Sequence, residues 1–181
     1  MTDHIVLCGL NGSGKSTLGR ALAEISGYVF RDIEDYYFPK NDAANPYAAV
    51  RSEAEVAALL LSDLQQYPRM ILAAVRANYD DAIPAMLTRA IHIVVPREIR
   101  LQRIRERSLR MFGDRALPGG DLHQQEENFF RLIAARTDDH VRKWLDASGL
   151  PVTEIDGMLP VDENVRKLLP MLAAEHSAGN E

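Results

Sequence analysis

The sequence is poor in several features that mark common protein classes. It contains one cysteine, Cys8, which excludes an intramolecular disulfide framework and is predicted to be a small buried apolar residue. The amino terminus has no basic segment followed by an apolar run, and no apolar stretch approaches the roughly 20 residues that span a membrane. We therefore expect a cytoplasmic protein that has no membrane partner.

Positive charge is also in short supply. The 21 basic residues are outnumbered by 26 acidic ones, which gives a formal net charge of −5 and a pI of about 5.6. This balance argues against a surface that binds nucleic acid. The five histidines lack the spacing of metal ligands, so we expect surface or hydrogen-bonded polar residues at His4, His92, His123, His140 and His176.

One motif is complete. Residues 9–17 read GLNGSGKST and satisfy the pattern G-x-x-x-x-G-K-[ST] of a phosphate-binding loop. Glycines let backbone N–H groups approach phosphate oxygens, Lys15 places a positive charge on the terminal phosphates, and the Ser16 hydroxyl can ligate Mg²⁺. The sequence therefore predicts binding of a nucleoside triphosphate through the residues Gly9, Asn11, Gly12, Ser13, Gly14, Lys15, Ser16 and Thr17.

Strands and helices alternate around this motif. Strands are predicted at residues 5–8, 28–30, 70–75, 91–95 and 152–155. Helices are predicted from the loop as far as Gly27, at 52–66, from Pro96, at 122–147 and after Pro160. The strands are almost continuously apolar, as in a parallel sheet that is covered on both faces. We predict one α/β domain over residues 1–181, a three-layer phosphate-loop NTPase fold with about five parallel strands and a small lid.

Finer expectations concern the helices. Ser52 and Glu55 have the spacing of a capping box. Leu101, Ile104 and Met111 are predicted to face the core. Pro170 is expected to kink the last helix, and the tail at 177–181 is predicted to be disordered.

The remaining motifs favour one class of nucleotide-binding protein. An N-K-x-D motif, which a GTPase would need, does not occur, and the third strand lacks the terminal Asp-Glu pair expected of an AAA-type ATPase. That strand ends instead in Val75-Arg76-Ala77-Asn78. A cation at the carboxyl end of a strand suits an anionic substrate or a transferring phosphate.

Over nearly its full length the chain resembles the phosphate-loop kinases of small molecules, namely nucleoside monophosphate kinases such as adenylate kinase, shikimate kinases and gluconate kinases. Besides the loop, the resemblance lies in the acidic cluster at 32–35, the Arg-rich segment that ends in a glycine-rich flap, and Ile155-Asp156-Gly157, where these kinases place adenine. Arg76-Ala77-Asn78 replaces the glycine triplet of shikimate kinases.

The resemblance implies an ATP-dependent phosphotransferase whose acceptor is a small molecule, either a nucleoside or nucleotide or a hydroxy acid. It implies an acceptor-binding region at about 32–68 and a lid at about 107–123. The implied catalytic residues are Lys15, Asp32, Arg115 and Arg136; Arg107 and Gly157 would bind the adenine nucleotide; Asp32, Glu34, Arg76 and Arg136 would bind the acceptor; Ser16 and Asp32 would hold Mg²⁺.

Each assignment has an alternative. The acidic cluster also suits a helix N-terminus, and the aromatic residues Tyr36, Tyr37 and Phe38 could be acceptor walls or simple packing. Seven of the 17 arginines lie between residues 97 and 115, and we interpret Arg97, Arg100 and Arg105 as a solvated face. Arg115 could belong to a solvent loop, and Arg136 could form a surface ion pair with Asp139.

The function also has alternatives. A nucleotide-binding ATPase or a regulatory protein would have no small-molecule acceptor, and acceptor-dependent ADP formation would distinguish it from a kinase. A nucleic-acid kinase is disfavoured by the acidic charge. The expected partners are ATP and the acceptor, and the expected assembly is a monomer or a homodimer.

Overall fold

A single sheet of five parallel strands is the framework of the molecule, of which the computed structural model describes residues 2–39, 42 and 45–177. In chain order the strands are β1 (Asp3–Cys8), β2 (Val29–Asp32), β3 (Arg69–Ala73), β4 (Arg89–Val94) and β5 (Val152–Asp156), and their spatial order is β2-β3-β1-β4-β5. Every residue of the central strand β1 is buried. The predicted five-stranded parallel sheet is confirmed.

Helices cover both faces of the sheet. They are α1 (Lys15–Ser26), α2 (Ile33–Tyr37), α3 (Glu53–Gln66), α4 (Ala82–Met86), α5 (Arg97–Phe112), α6 (His123–Ala134), α7 (Asp139–Ser148) and α8 (Val161–Ser177). Successive residues of a strand point to opposite faces. Val6 therefore packs in the core under α3 and α7, whereas Ile5 and Leu7 pack in the core under α1 and α8.

Local sequence determines where several helices begin and end. Ser52 and Glu55 form the predicted capping box at the start of α3, with each side chain bonded to the backbone of the other. Helix α1 ends at Gly27, whose φ of 72° is readily adopted by glycine. The predicted boundaries of these two helices are confirmed.

Two expectations about the helices are wrong. The region 122–147 is not one long helix, because α6 ends at Ala134 and α7 begins at Asp139. The break lets α6 pack on α5 through Ile133, while α7 packs on the sheet through Val141. Met111 does not face the core but is 47% exposed, since it borders two cavities described below.

Other expectations have different outcomes. Cys8 is completely buried, and burial raises the pKa of its thiol to about 12, which keeps it unreactive. Pro170 lies inside α8, and its predicted kink remains a prediction. Of the predicted disordered tail, residues 178–181 lie outside the described part of the chain. None of the helices described is both long enough and apolar enough to cross a bilayer.

Candidate active site

The phosphate loop lies between β1 and α1, at the carboxyl edge of the sheet. Gly12 has a φ of 81°, and a Cβ atom there would lie 2.5 Å from the carbonyl oxygen of Arg100. Only glycine combines this backbone conformation with so close an approach. The loop is therefore packed directly against the first turn of α5.

The side chain of Arg100 also contacts the phosphate loop. Its side chain is only 4% exposed, and it donates from Nε to the carbonyl of Val95 and from Nη1 to the carbonyl of Asn11. The interpretation of Arg100 as a solvated residue is therefore wrong. Arg97 and Arg105 are exposed as expected.

The side chain of Lys15 folds back over the first residues of the phosphate loop. Its Nζ donates to the carbonyls of Gly9 and Leu10 at 2.8 and 3.1 Å. Burial lowers the pKa of Lys15 to about 8, although the carboxylates of Glu34 and Asp32 oppose this effect. Two of the three ammonium protons are bonded to the loop, which leaves one for a ligand oxygen.

Asp32 connects β2 to the phosphate loop. Its Oδ2 accepts a hydrogen bond of 2.5 Å from Ser16 Oγ, and its Oδ1 accepts one of 3.1 Å from the backbone N–H of Glu34. The carboxylate is 7% exposed and caps the short helix α2. The interpretation of the acidic cluster as a helix N-terminus is confirmed for Asp32, and the predicted role of this residue in binding Mg²⁺ or the acceptor stays a prediction.

Ser16 and Asp32 fit a Mg²⁺ site. Magnesium is usually held by one or two protein oxygens together with substrate phosphates, and these two oxygens are already adjacent. Within the described part of the chain, three or more His, Cys, Asp or Glu side chains do not gather into a metal site. The pair is therefore suited to an ion that a nucleotide brings, and less to a metal bound by protein alone.

A cleft of about 530 Å³, the phosphate cleft, opens above the loop. Charged side chains of both signs line it: Lys15, Arg20, Asp32, Glu34, Asp35, Arg103, Glu106, Arg107 and Arg110. Asn11, Gly12, Gly14, Ser16 and Thr17 of the loop line it as well. Five of these side chains are cationic, so an anion with several charges would find donors on more than one wall.

A second cavity of about 280 Å³, the Gly157 pocket, adjoins the phosphate cleft. A Cβ atom at Gly157 would lie 2.4 Å from Val95 Cγ2, so the turn after β5 can approach β4 only because this residue is glycine. Arg103 lines both cavities and donates to the Gly157 carbonyl from Nη1 and Nη2, each at 3.3 Å. This pocket occupies the position predicted for adenine.

Arg107, which we predicted to bind the adenine nucleotide, lies farther from that pocket. It lines the phosphate cleft but not the Gly157 pocket, and its Nη1 is 3.8 Å from Glu34 Oε1. Arg103 takes the predicted place beside Gly157. The sequence could have indicated Arg103 as well, because Arg103 and Arg107 are four residues apart and share one helix face.

A third cavity of about 220 Å³, the aromatic pocket, adjoins the phosphate cleft through residues other than those that the Gly157 pocket shares with it. It is lined by Glu34, Phe38, Tyr47, Ile104, Arg107, Ser108, Met111, Phe112, Gln125, Glu126 and Phe129. Five of these residues also line the phosphate cleft: Glu34, Tyr47, Ile104, Arg107 and Met111. Phe38 thus lines a cavity. Tyr36 does not line one of these cavities, because it is buried and donates a hydrogen bond to Asp63.

Arg76 and Arg136 lie beside each other, but neither lines any of these three cavities. Burial and the positive charge of Arg76 lower the pKa of Arg136. Arg136 Nη1 donates to Asn11 Oδ1 at 2.9 Å, so it reaches the phosphate loop through a side chain of the loop. Arg76 was predicted to contact the acceptor, and the structure does not place it on the cleft.

Arg115 belongs to the flap that follows α5. The flap comprises a 3-10 helix (Gly113–Ala116) and the loop at 117–122, so it begins later than the predicted lid boundary at residue 107. Arg115 donates from Nε and Nη2 to the carboxylate of Asp121, with the shortest contact 2.7 Å. In this conformation Arg115 does not line the phosphate cleft.

Comparison with known proteins identifies the family. Residues 5–111 match a family model described as an AAA domain. The chain belongs to this family. The prediction against an AAA-type protein is therefore too broad at the family level, although Arg76 and not an Asp-Glu pair follows β3, as the sequence indicates.

Two curated proteins are similar in sequence. The uncharacterized protein YqaC of Bacillus subtilis (strain 168) is 25% identical over 182 residues, which is 96% of this chain and 99% of that protein. Shikimate kinase 2 of Sodalis glossinidius (strain morsitans) is 49% identical over 35 residues, or 19% of this chain and 20% of that protein. The second likeness is local and says nothing about the rest of the chain.

Solved structures of kinases share the fold. A gluconokinase from Sinorhizobium meliloti 1021 gives a TM-score of 0.54 at 17% identity, over 95% of this chain and 92% of that one. Shikimate kinase from Acinetobacter baumannii gives 0.55 at 17% identity, over 100% and 97%. Deoxyadenosine kinase from M. mycoides gives 0.56 at 15% identity, over 93% and 98%. The predicted resemblance to small-molecule phosphate-loop kinases is confirmed at the level of the fold.

Proposed function

We propose that the protein is an ATP-dependent phosphotransferase that acts on a small-molecule acceptor. The observation that supports this most directly is that two further cavities adjoin the phosphate cleft through different residues. The Gly157 pocket shares Gly14, Thr17 and Arg103 with the phosphate cleft, and the aromatic pocket shares five different residues with it. A nucleotide accounts for two cavities, and a second substrate accounts for the third.

The reaction requires an acceptor hydroxyl placed in line with the bond that breaks. The hydroxyl oxygen would attack the γ-phosphorus, the bond from that phosphorus to the bridging oxygen would break, and ADP would leave. Lys15 would neutralise charge on the transferred group, and Asp32 would orient the hydroxyl and take up its proton. When bound at Ser16 and Asp32, Mg²⁺ would supply further charge neutralisation.

The other predicted cations would act from greater distance. We propose that Arg136 reaches the transferred phosphate beside Asn11 and that Arg76 raises the positive potential behind it. Arg115 would join them only when the flap closes over the cleft, which exchanges its contact with Asp121 for one with phosphate. We further propose that the enzyme works in the cytoplasm as a monomer or homodimer.

An acceptor screen tests this function. ADP formation would be measured with ATP and Mg²⁺ alone and after addition of nucleosides, nucleotides, sugar acids or aminoglycosides. We expect at least one class to accelerate ADP formation and to appear in phosphorylated form by mass spectrometry. If ATP is bound but every acceptor leaves the rate unchanged, the alternative of an ATPase or regulatory protein without an acceptor replaces this proposal.

A further inference from the structure

The binding of ATP does not explain the aromatic pocket. We propose that this pocket binds the acceptor, and that the acceptor is a nucleoside or its 5′-monophosphate: a planar heterocycle with N–H donors, joined to a hydroxylated sugar. The inference rests on the phosphotransferase function proposed above and names its second substrate.

The position of the pocket suits an acceptor. The Gly157 pocket and the aromatic pocket adjoin the phosphate cleft through different residues, and none of the described residues lines both of them. A base in the first pocket and an acceptor in the other would thus flank the phosphates. In-line transfer requires the attacking and leaving oxygens on opposite sides of the phosphorus.

The walls of the pocket suit a planar ring. Phe38, Tyr47, Phe112 and Phe129 come from three separate segments of the chain and all border the same space. Phe38 and Tyr47 meet edge to face, with centroids 4.9 Å apart at 86°, and Tyr47 and Phe112 meet at 6.3 Å and 71°. Aromatic side chains on several sides favour a flat aromatic ligand over a puckered sugar ring.

The polar groups of the pocket point to N–H donors on that ring. Ser108 and Glu126 are each 6% exposed, and Ser108 Oγ donates to Glu126 Oε2 at 2.7 Å. An ionised carboxylate offers about four acceptor positions, and this hydrogen bond uses one of them. A buried carboxylate beside an apolar cavity is stabilised by further donors, which the N–H edge of a nucleobase supplies.

The charges disfavour a sugar acid in this pocket. Of the charged side chains that the structure describes, Glu34, Arg107 and Glu126 line it, and Arg107 lies 3.8 Å from Glu34. The carboxylate of gluconate or shikimate would therefore lie close to Glu126, and the cation described at the pocket, Arg107, is already shared with Glu34. A neutral heterocycle meets no such repulsion.

The sugar of a nucleoside would extend toward the phosphates. Glu34 and Arg107 form the boundary between the aromatic pocket and the phosphate cleft, and Asp32 lies beyond them in the cleft. A base held at Glu126 would direct its ribose past this boundary. A 5′-hydroxyl or a 5′-phosphate would then lie on the side of Lys15, where the cleft carries its cationic side chains.

The test compares acceptors in two matched variants. Guanosine, uridine, adenosine and cytidine, their 5′-monophosphates, gluconate and shikimate would each be assayed for ADP formation. In Glu126→Gln we expect the KM for the active nucleoside or nucleotide to rise at least tenfold, while the KM for ATP changes less than twofold. Glu127→Gln is the control, because Glu127 is the next residue, lies outside the pocket and faces Arg105.

A second variant and a binding measurement keep the result interpretable. If Glu126→Gln unfolds, Phe38→Leu replaces it, since Phe38 is a partly exposed residue outside the sheet, and the same rise in acceptor KM is expected. Calorimetry with the same nucleosides, in the presence of a non-hydrolysable ATP analogue, measures their affinity for the protein without turnover.

The outcomes separate this inference from the proposed function. If gluconate or shikimate is the acceptor and Glu126→Gln behaves like Glu127→Gln, the function stands and the pocket assignment is overturned. If nucleosides bind in a Glu126-dependent manner but no acceptor accelerates ADP formation, the pocket assignment stands and the phosphotransferase function fails. Nucleoside turnover that is equal in both variants also overturns the assignment of the pocket.

Discussion

The Ser16 hydroxyl donates to Asp32 across a distance of 2.5 Å and so joins the phosphate loop to the end of β2. Ser16 lies in the first turn of α1, which follows β1, and Asp32 ends β2; β3 lies between β1 and β2 in the sheet. In the function proposed above, this carboxylate is the group that orients the acceptor hydroxyl.

Replacement of Asp32 should lower turnover more than it lowers nucleotide affinity. We expect Asp32→Asn to reduce kcat by roughly a hundredfold or more, because a positioned general base contributes about 10²–10⁴ in rate. The affinity for ATP should change little. Asp146→Asn, on the exposed face of α7, is the control. An equal loss of ATP binding and turnover would show that Asp32 serves the nucleotide.

Lys15 should be essential for transfer but not for folding. Lys15→Ala removes a charge-assisted contact to phosphate, which contributes roughly 1.5–3 kcal/mol to binding, and removes further stabilisation from the transition state. We expect turnover to be abolished, ATP affinity to fall at least tenfold, and the far-UV circular dichroism to be unchanged. The exposed Lys143→Ala serves as control. Near-normal turnover in Lys15→Ala would contradict the assignment of the phosphate loop.

Arg103 should contribute to nucleotide binding. Arg103→Ala removes the guanidinium that lines both the phosphate cleft and the Gly157 pocket, so we expect a loss of about tenfold in affinity for an ATP analogue. Arg105→Ala is a matched control two residues along α5, where the side chain is exposed and lies over Phe130. Equal affinities of the two variants for the ATP analogue would show that Arg103 does not contribute to nucleotide binding.

The flap should close when substrates bind. Gly113 and Gly119 have φ values of 54° and 94°, which gives the segment conformations that glycine adopts at low cost. We expect trypsin to cleave the free protein after Arg115, and an ATP analogue with Mg²⁺ to slow this cleavage. Arg115→Gln identifies the fragment, because it removes that site. Cleavage at the same rate with and without the analogue would show that the flap is not a lid.

Stability should fall as the pH drops below neutrality. Burial lowers the pKa of His92, against the opposing charge of Glu154, and burial with the charges of Arg76 and Arg136 lowers that of His140. Since the folded pKa values lie below the unfolded value of 6.5, the unfolded chain binds more protons in this range, and stability decreases with decreasing pH.

Denaturant unfolding at pH 7.5, 6.5 and 5.5 measures this effect. We expect the free energy of unfolding to decrease across the series and the decrease to be smaller in His140→Gln. His123→Gln, on α6, is the comparison. A slope that is the same in wild type and His140→Gln would show that His140 does not contribute to it.

The sequence was sufficient to predict the framework of the site. The glycine-rich motif and the apolar strands predict the loop at the edge of a parallel sheet, and Asp32 lies at that edge because it is the last residue of β2. The burial of Arg100 could not be predicted, because it depends on the close approach of Gly12. A helical pattern shows which arginines share a face but not which segment covers that face.

The aromatic pocket could not be predicted for a related reason. Its walls include Phe38 after α2, Phe112 at the end of α5 and Phe129 on α6, which are far apart in sequence. Their meeting depends on the break between α6 and α7, which lets α6 pack on α5. Single-sequence periodicity predicted one long helix there, since it carries no information on where a helix must turn.

Helix α5 contributes to all three cavities from within three consecutive turns. Its first turn supports the phosphate loop through Arg100, and the next two supply Arg103, Arg107 and Ser108. A helix moves as a rigid body, so a ligand that tilts α5 at one cavity changes the other two as well. If ATP and an acceptor both bind as proposed and one of them tilts α5, we expect cooperativity between them, and thermodynamic linkage requires that each change the affinity for the other by the same factor.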